Sequence, residues 1–379
     1  MMFKSSHSPD IQNSFFGNSN GGSNGKNTIR TMMLQVLIAS LPGMFALFYF
    51  FGWGVLINLC IASVTAVATE ALILKARNKD WRRDIKDSSA LVTALLLGLA
   101  LPPLVPWWIT VLAVFFAIAF AKQLYGGLGY NPFNPAMTGY VLVLISFPVQ
   151  MTSWSPASPL WQSSLSFIDT LGLIFNGQTS SAITVEMLVN GYDGFSSATP
   201  LDNMKTQLSQ GLMPSEILKT PLYSGFTSSG LSGLGFAGAG WLWVNIGFLL
   251  GGVYLIWKRC IAWQLSASML LGLGITAFIF SLVSGDSYAS PLLHLFSGGT
   301  MLCAFFIVTD PVSAATSVKG RWIFGIGVGL LTWIIRTWGG YPDAIAFAIL
   351  LMNMAAPTID HYTKTIVYGH KEAHEEGKK

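Results

Sequence analysis

Charge and cysteine are what this sequence has least of. Of 379 residues only 10% are Asp, Glu, Lys or Arg, and three are cysteine. A soluble domain of ordinary composition carries about 25% charged residues, so that class is excluded. Cys60, Cys260 and Cys303 show no C-x-x-C spacing, which excludes a metal cluster held by this chain alone; any iron belongs to a partner. Two of them fall in apolar segments and one at a segment end, which argues against a structural disulfide. The first 30 residues are polar, rich in Asn, Gly and Ser, and lack the apolar core of a cleavable signal peptide, so the first helix is expected to stay in the mature chain. No basic block calls for nucleic acid: the net charge of +4 comes from short loops between apolar segments.

Hydrophobic residues make up 52% of the chain, with 13 tryptophans. Ten apolar segments are candidates for spanning helices, at roughly 31–51, 53–75, 88–103, 105–121, 136–149, 239–257, 263–283, 291–308, 322–337 and 342–358. The third, fifth and tenth are short. With the N-terminus inside, all of the 21 basic residues except Lys205, Lys219 and Arg336 fall on the cytoplasmic side, as retention of basic loops there requires. Both termini are then cytoplasmic and the 150–238 loop extracytoplasmic. KARNKDWRRDIK, at 75–86, could attract anionic lipid headgroups, but its interspersed acidic residues favour reading it as an ordinary solvated loop.

The chain resembles itself across its two halves. GGLGYNPFNPAMTGYVLVLISFP at 126–148 and GGYPDAIAFAILLMNMAAP at 339–357 share a Gly-Gly start, a Tyr and Pro before the helix, and a closing Pro. SSALVTALLLGLALPP at 88–103 and SGGTMLCAFFIVTDP at 297–311 both run from small polar residues through an apolar stretch to proline. The expected architecture is an all-α integral membrane protein. It has a cytoplasmic segment 1–30, a five-helix repeat 31–149, the loop 150–238, an inverted five-helix repeat 239–358 and a cytoplasmic tail 359–379. Such repeats place sites where helices are interrupted by Gly and Pro.

Polar residues within apolar segments are expensive and therefore informative. Glu70 is expected to snorkel toward the nearby basic loop. His294 reads as a packing residue, and Asp310, before a proline, as turn chemistry. Asn131 and Asn134 flank the turn into the fifth segment. In the polar loop, Thr199-Pro200-Leu201-Asp202 reads as a helix start: a threonine cap, proline at the first position and an acid in the first turn.

Five stretches go further. AKQLYGGLGYNPFNPAMTGYVLVLISFPVQMTSW at 121–154, SSATPLD at 196–202, TDPVSA at 309–314, GGYPD at 339–343 and YGH at 368–370 resemble the NqrB/RnfD family, and within it the RnfD branch of the Rnf electron transport complex more than the NqrB branch of sodium-pumping quinone reductases. The resemblance covers nearly all of the apolar region. It implies a bacterial inner-membrane protein in which FMN is joined through its phosphate to a threonine of an S-x-A-T motif. Carried to this sequence, the acceptor is Thr199, with Asp193, Ser196, Ser197, Ala198 and Pro200 as surrounding recognition and site positions. Ser197 stands where related covalent flavin sites usually have glycine. The loop would be periplasmic and modified by a flavin transferase; RnfA, RnfB, RnfC, RnfE and RnfG would be the partners. The implied activity is electron transfer coupled to sodium or proton movement. A second, non-covalent riboflavin is implied in the bundle, with 131–135 as candidate surroundings, and Asp310 is a candidate on the ion path.

Two alternatives stay open at this level. A solute channel or transporter without redox activity explains the repeats and the prolines, but not the 196–202 motif. An NqrB-like component of a quinone reductase explains the motif, but the N-terminal segment is short for it.

Overall fold

The computed structural model describes residues 29–79, 85–155, 157, 165–185, 187, 199–224, 237–238, 240–341 and 344–363. Among these the chain is helical, with a single isolated antiparallel bridge between Gln178 and Thr184. Every one of the ten apolar segments contains helix: α1 (Ile29–Phe51), α2 (Trp53–Ala76), α3 (Ser89–Ala100), α4 (Trp107–Phe116), α5 (Pro135–Ser146) and, beyond the loop, five more. The two longest loop helices are α6 (Phe167–Asn176) and α7 (Pro200–Ser209); the later five segments hold α8 (Trp241–Trp257), α9 (Trp263–Val283), α10 (Pro291–Phe296), α11 (Val318–Trp338) and α12 (Ile345–Tyr362). Four of them, α1, α2, α9 and α11, are long and apolar enough to cross a membrane.

The shorter helices end where proline and glycine dictate. α3 has 12 residues, a rise of about 18 Å against a hydrocarbon core of about 30 Å. It stops before Pro102 and Pro103 because the residue ahead of a proline is driven into extended backbone, and Leu101 has ψ 147°. α5 likewise stops ahead of Pro148. α4 continues into a π-helical stretch, Ala117–Gln123. The eighth segment, expected as one helix, is broken: α10 ends at Phe296, Ser297 is extended, Gly298 takes φ +62°, and helix resumes at Thr300–Leu302 and a π turn, Cys303–Ile307.

α1 packs on α8, α9 on α11, α2 on α3 and α5 on α12. Small residues make the closest crossings possible, as is usual where lipid removes the hydrophobic drive between helices. A Cβ on Gly251 would lie 1.9 Å from the Ala39 carbonyl oxygen, and one on Gly329 would lie 2.3 Å from that of Met269. Gly251→Ala is therefore expected to push α1 and α8 apart and destabilise the bundle by about 1–3 kcal/mol. Thermal unfolding in detergent measures this, and an unchanged midpoint would contradict the crossing. One large apolar core runs through α1–α5, α8, α9, the second part of the broken segment, α11 and α12, while a smaller cluster of Leu201, Met204, Ile217, Tyr223, Ala289 and Leu293 seats α7 on α10.

Candidate functional site

Thr199 caps α7. Its backbone is extended (φ −59°, ψ 156°), its Oγ1 accepts a hydrogen bond from the Asp202 N–H at 3.3 Å, and Pro200 occupies the first helical position. This is the helix start that the residue types predict. Four anchors fix α7 in place. Leu201 and Met204 are buried, the Tyr223 hydroxyl donates to the Pro200 carbonyl at 2.5 Å, and the Lys205 ammonium donates to the Gly339 carbonyl. Burial pushes the Asp202 carboxyl above the usual carboxylate range, with Lys205 pulling the other way. Asp193, Ser196, Ser197 and Ala198 lie outside the described residues.

Thr199 faces a narrow cleft rimmed by Tyr140, Trp154, Trp241 and Tyr341, with Gly298 of the broken segment at its side. Trp154 and Trp241 pack at 5.0 Å between ring centroids and Phe51 adds a third ring. Past Gly298 the cleft adjoins a second cavity, of about 40 Å³, that reaches Leu47, Phe248 and Leu302. The enclosed space beside Thr199 is about 20 Å³, room for about one water molecule. The arrangement suits the phosphate of FMN: half-buried Thr199 stands at the start of a ten-residue helix, where the dipole and the first-turn amides favour anions. It offers the flavin ring an aromatic rim rather than a closed slot.

The break beside this cleft is held by two buried residues that sequence reasoning missed or misplaced. Asn245, fully buried in α8, donates to the carbonyls of Phe296 and Gly298, each at 3.0 Å, and its Oδ1 accepts from the Met301 N–H at 3.1 Å. Arg336, counted from the sequence on the outer side, is buried; its guanidinium donates to the His294 carbonyl at 2.8 Å and to Thr300 Oγ1 at 3.0 Å. Backbone groups freed in an apolar interior need such partners. Asn58 serves the end of α3 in the same manner, donating to the carbonyls of Pro102 and Pro103 at 3.1 and 3.0 Å. Asn245→Leu strips three contacts at once, and at about 1–3 kcal/mol per orphaned group it is expected to leave little folded, monodisperse protein on size exclusion. A normal elution profile would show that the break does not depend on Asn245.

A second polar centre lies across the core, at the far end of α2. Glu70 does not snorkel. It is 2% exposed, and its Oε1 accepts from Lys122 Nζ at 2.5 Å and from Gln123 Nε2 at 2.8 Å. Lys122 also donates to Ser89 Oγ at 2.6 Å. The reason is the π-helical end of α4, which brings a lysine and a glutamine, neighbours in sequence, to the same carboxylate; such turns often mark functional sites. A buried carboxylate is tolerated when it is paired.

Lys122 and Ser89 line a cavity of about 110 Å³ with Asn131, Asn134 and Asp310. Asp310 is braced by Ser313 Oγ at 2.8 Å and the Val312 N–H at 3.2 Å, the turn chemistry expected of it, and Asn134 Nδ2 approaches it at 3.5 Å. Asn134 also caps α5 through the Met137 N–H at 3.2 Å. Two separate sequence candidates, 131–135 and Asp310, thus meet in one cavity. His294 is buried in α10, its Nδ1 without a hydrogen-bond partner.

Residues 20–369 match the model of the NQR2, RnfD, RnfE family. The chain is similar to proteins named as the D component of an ion-translocating oxidoreductase complex. That of Aliivibrio salmonicida is 51% identical over 358 residues, 94% of this chain and 99% of the relative. That of Yersinia pseudotuberculosis is 53% identical over 345 residues, covering 91% and 95%. That of Escherichia coli is 51% identical over 349 residues, covering 92% and 96%.

Proposed function

The chain belongs to the NQR2, RnfD, RnfE family, and from that membership we propose that it is the RnfD-type membrane component of an ion-translocating oxidoreductase complex, carrying electrons through FMN joined covalently to Thr199 and coupling their passage to sodium or proton movement. The observation that carries this reading is the Thr199 hydroxyl, standing at the start of α7 over an aromatic cleft beside a broken helix.

Thr199 would hold the group through Oγ1 as a phosphodiester, its hydroxyl replacing the AMP side of the FAD pyrophosphate so that AMP and the hydroxyl proton would be released. The diester left behind keeps one negative charge, which the N-terminus of α7 favours. Pro200 has no N–H to offer, so the nearest donors are the Leu201 and Asp202 amides; the Asp202 amide, now bonded to Oγ1, would turn to a phosphate oxygen. Asp193, Ser196, Ser197 and Ala198 would be read by the transferase in an exposed loop. The flavin supplies the redox chemistry, and this chain supplies its placement and surroundings. α7, pinned by Tyr223 and Lys205, keeps the attachment point fixed.

The halves 31–149 and 239–358 are read as inverted repeats. The pairing of corresponding helices, α1 with α8 and α5 with α12, supports that reading. Asp310, with Lys122 of the Glu70–Lys122 pair lining the same cavity, is the proposed stretch of the ion path, and Asn131–Pro135 the proposed surroundings of a non-covalent riboflavin, for which about 110 Å³ has to widen. RnfA, RnfB, RnfC, RnfE and RnfG are the proposed partners, with the Thr199 loop periplasmic. The test is simple: chain expressed with a flavin transferase is denatured in acid and pelleted. Flavin absorbance staying in the pellet supports the reading, and its complete release to the supernatant removes it.

A further inference from the structure

The loop helix α6 is apolar on two faces. Thr170, Leu173 and Ile174 turn inward and are buried, Leu173 against Leu104. Ile168, Leu171 and Phe175 fall within about 60° of one another on the helix, at about 100° per residue, and point away from that packing. Ile168 is 73% exposed, Phe175 is exposed and Leu171 half-buried. To one side of this outer face runs a narrow polar strip, Asp169 and Asn176. The Asp169 carboxylate accepts from Ser166 Oγ at 2.7 Å and from Ser180 Oγ at 2.6 Å.

Two ring contacts fix where α6 lies. Phe167, its first residue, meets Trp53, the first residue of α2, with ring centroids 5.4 Å apart. Phe175, near its other end, stacks on Trp107, the first residue of α4, at 6.1 Å. α2 and α4 are packed neighbours, so a helix that reaches from the start of one to the start of the other runs across the end of the bundle. The rise of about 12 Å between 167 and 175 is enough for the about 8–10 Å between packed helix axes.

We propose that α6 is an interfacial helix whose outer face, Ile168, Leu171 and Phe175, lies in the lipid leaflet at this end of the bundle, where headgroups meet acyl chains. The occupant follows from continuity. α2 is long and apolar enough to cross a membrane. Its Trp53 and its Val64, which is 71% exposed, are three turns apart on one face, so the exposed flank of α2 leads straight to the ring contact with α6. Trp53, Trp107 and Trp108 are all exposed at the starts of α2 and α4, and tryptophans at that level mark the lipid–water boundary. A helix lying there needs an apolar face for lipid and a polar strip for water, and α6 has both. It carries no Lys or Arg, so its hold on the leaflet comes from apolar burial and not from anionic headgroups. The inference rests on the membrane reading of α2 and not on a flavin at Thr199.

The test places photoreactive benzoylphenylalanine at Ile168 of the full chain in its complex, in phospholipid membranes, and reads the adducts by mass spectrometry after irradiation. The excited ketone takes a hydrogen from a neighbouring C–H and the two carbons join, so the adduct carries the whole mass of its neighbour. The expected result is a mass shift of one intact phospholipid at Ile168, as at the control position Val64 on α2, and loss of that shift at Asn176 on the polar strip. Leu171 serves if the probe at Ile168 prevents folding. A cross-link from the outer face to another polypeptide, or no adduct there while Val64 takes lipid, would overturn the interfacial helix. Equal lipid labelling at Ile168 and Asn176 would overturn its orientation. Absence of lipid adducts at Val64 and at Leu72, a second exposed position of α2, would instead remove the membrane reading on which the inference rests.

Discussion

Thr199→Ala is expected to turn a band that fluoresces under ultraviolet light on a denaturing gel into a dark one, with the protein present in the membrane at a normal level. Alanine has no oxygen to carry the phosphodiester, so the loss is complete rather than graded. The same substitution removes the cap of α7, but that costs only about 1 kcal/mol. α7 is also held by the burial of Leu201 and Met204 and by the Tyr223 and Lys205 hydrogen bonds. Unfolding is therefore not a competing explanation for darkness, and protein level in the membrane checks it. Thr199→Ser keeps both the cap and the nucleophile, and its band should stay fluorescent, though weaker if the transferase favours threonine. Fluorescence surviving in Thr199→Ala would move the attachment elsewhere.

The second large effect belongs to the buried pair. Lys122→Met leaves the Glu70 carboxylate at 2% exposure with Gln123 as its one remaining side-chain donor among the described residues, and should destabilise the chain by about 3–5 kcal/mol. Glu70→Gln in the same background removes the stranded charge and should recover most of that loss, because replacing both members of a buried pair is far milder than removing one. Thermal or chemical unfolding in detergent of the two single variants and the double variant gives the coupling directly. A Lys122→Met cost under about 1 kcal/mol would match an exposed pair and contradict the buried arrangement.

Much of the helix content was legible in the sequence because apolar length is a local property. All ten apolar segments contain helix, and the Thr199–Asp202 start was readable from residue types because caps are local too. Whether each segment crosses the membrane was less legible. α3 and α5, with 12 residues each, end at prolines that sit inside or at the edge of the apolar runs, and Gly298 splits the eighth segment with a left-handed φ. Glu70 was misread because its partner is 52 positions away; a charge near a helix end looks the same whether it reaches water or a lysine. That Lys122 and Arg336 are buried was hidden for the same reason. Asn58 and Asn245 carried a usable signal, an amide in the middle of an apolar run, and the criterion that drew attention to Glu70 and His294 would have found them. Asp310 and Asn134 were each picked out singly, but their meeting across the two halves of the chain is a tertiary fact that no local pattern records.

The central claim is a flavin on Thr199, and peptide mapping tests it most directly. The wild-type chain, purified from cells containing a flavin transferase, is digested and analysed by mass spectrometry. The account predicts an increment of FMN minus water on the peptide that contains Thr199, with fragment ions assigning it to that residue. An unmodified Thr199 peptide at full yield, or the increment on another residue, would contradict it.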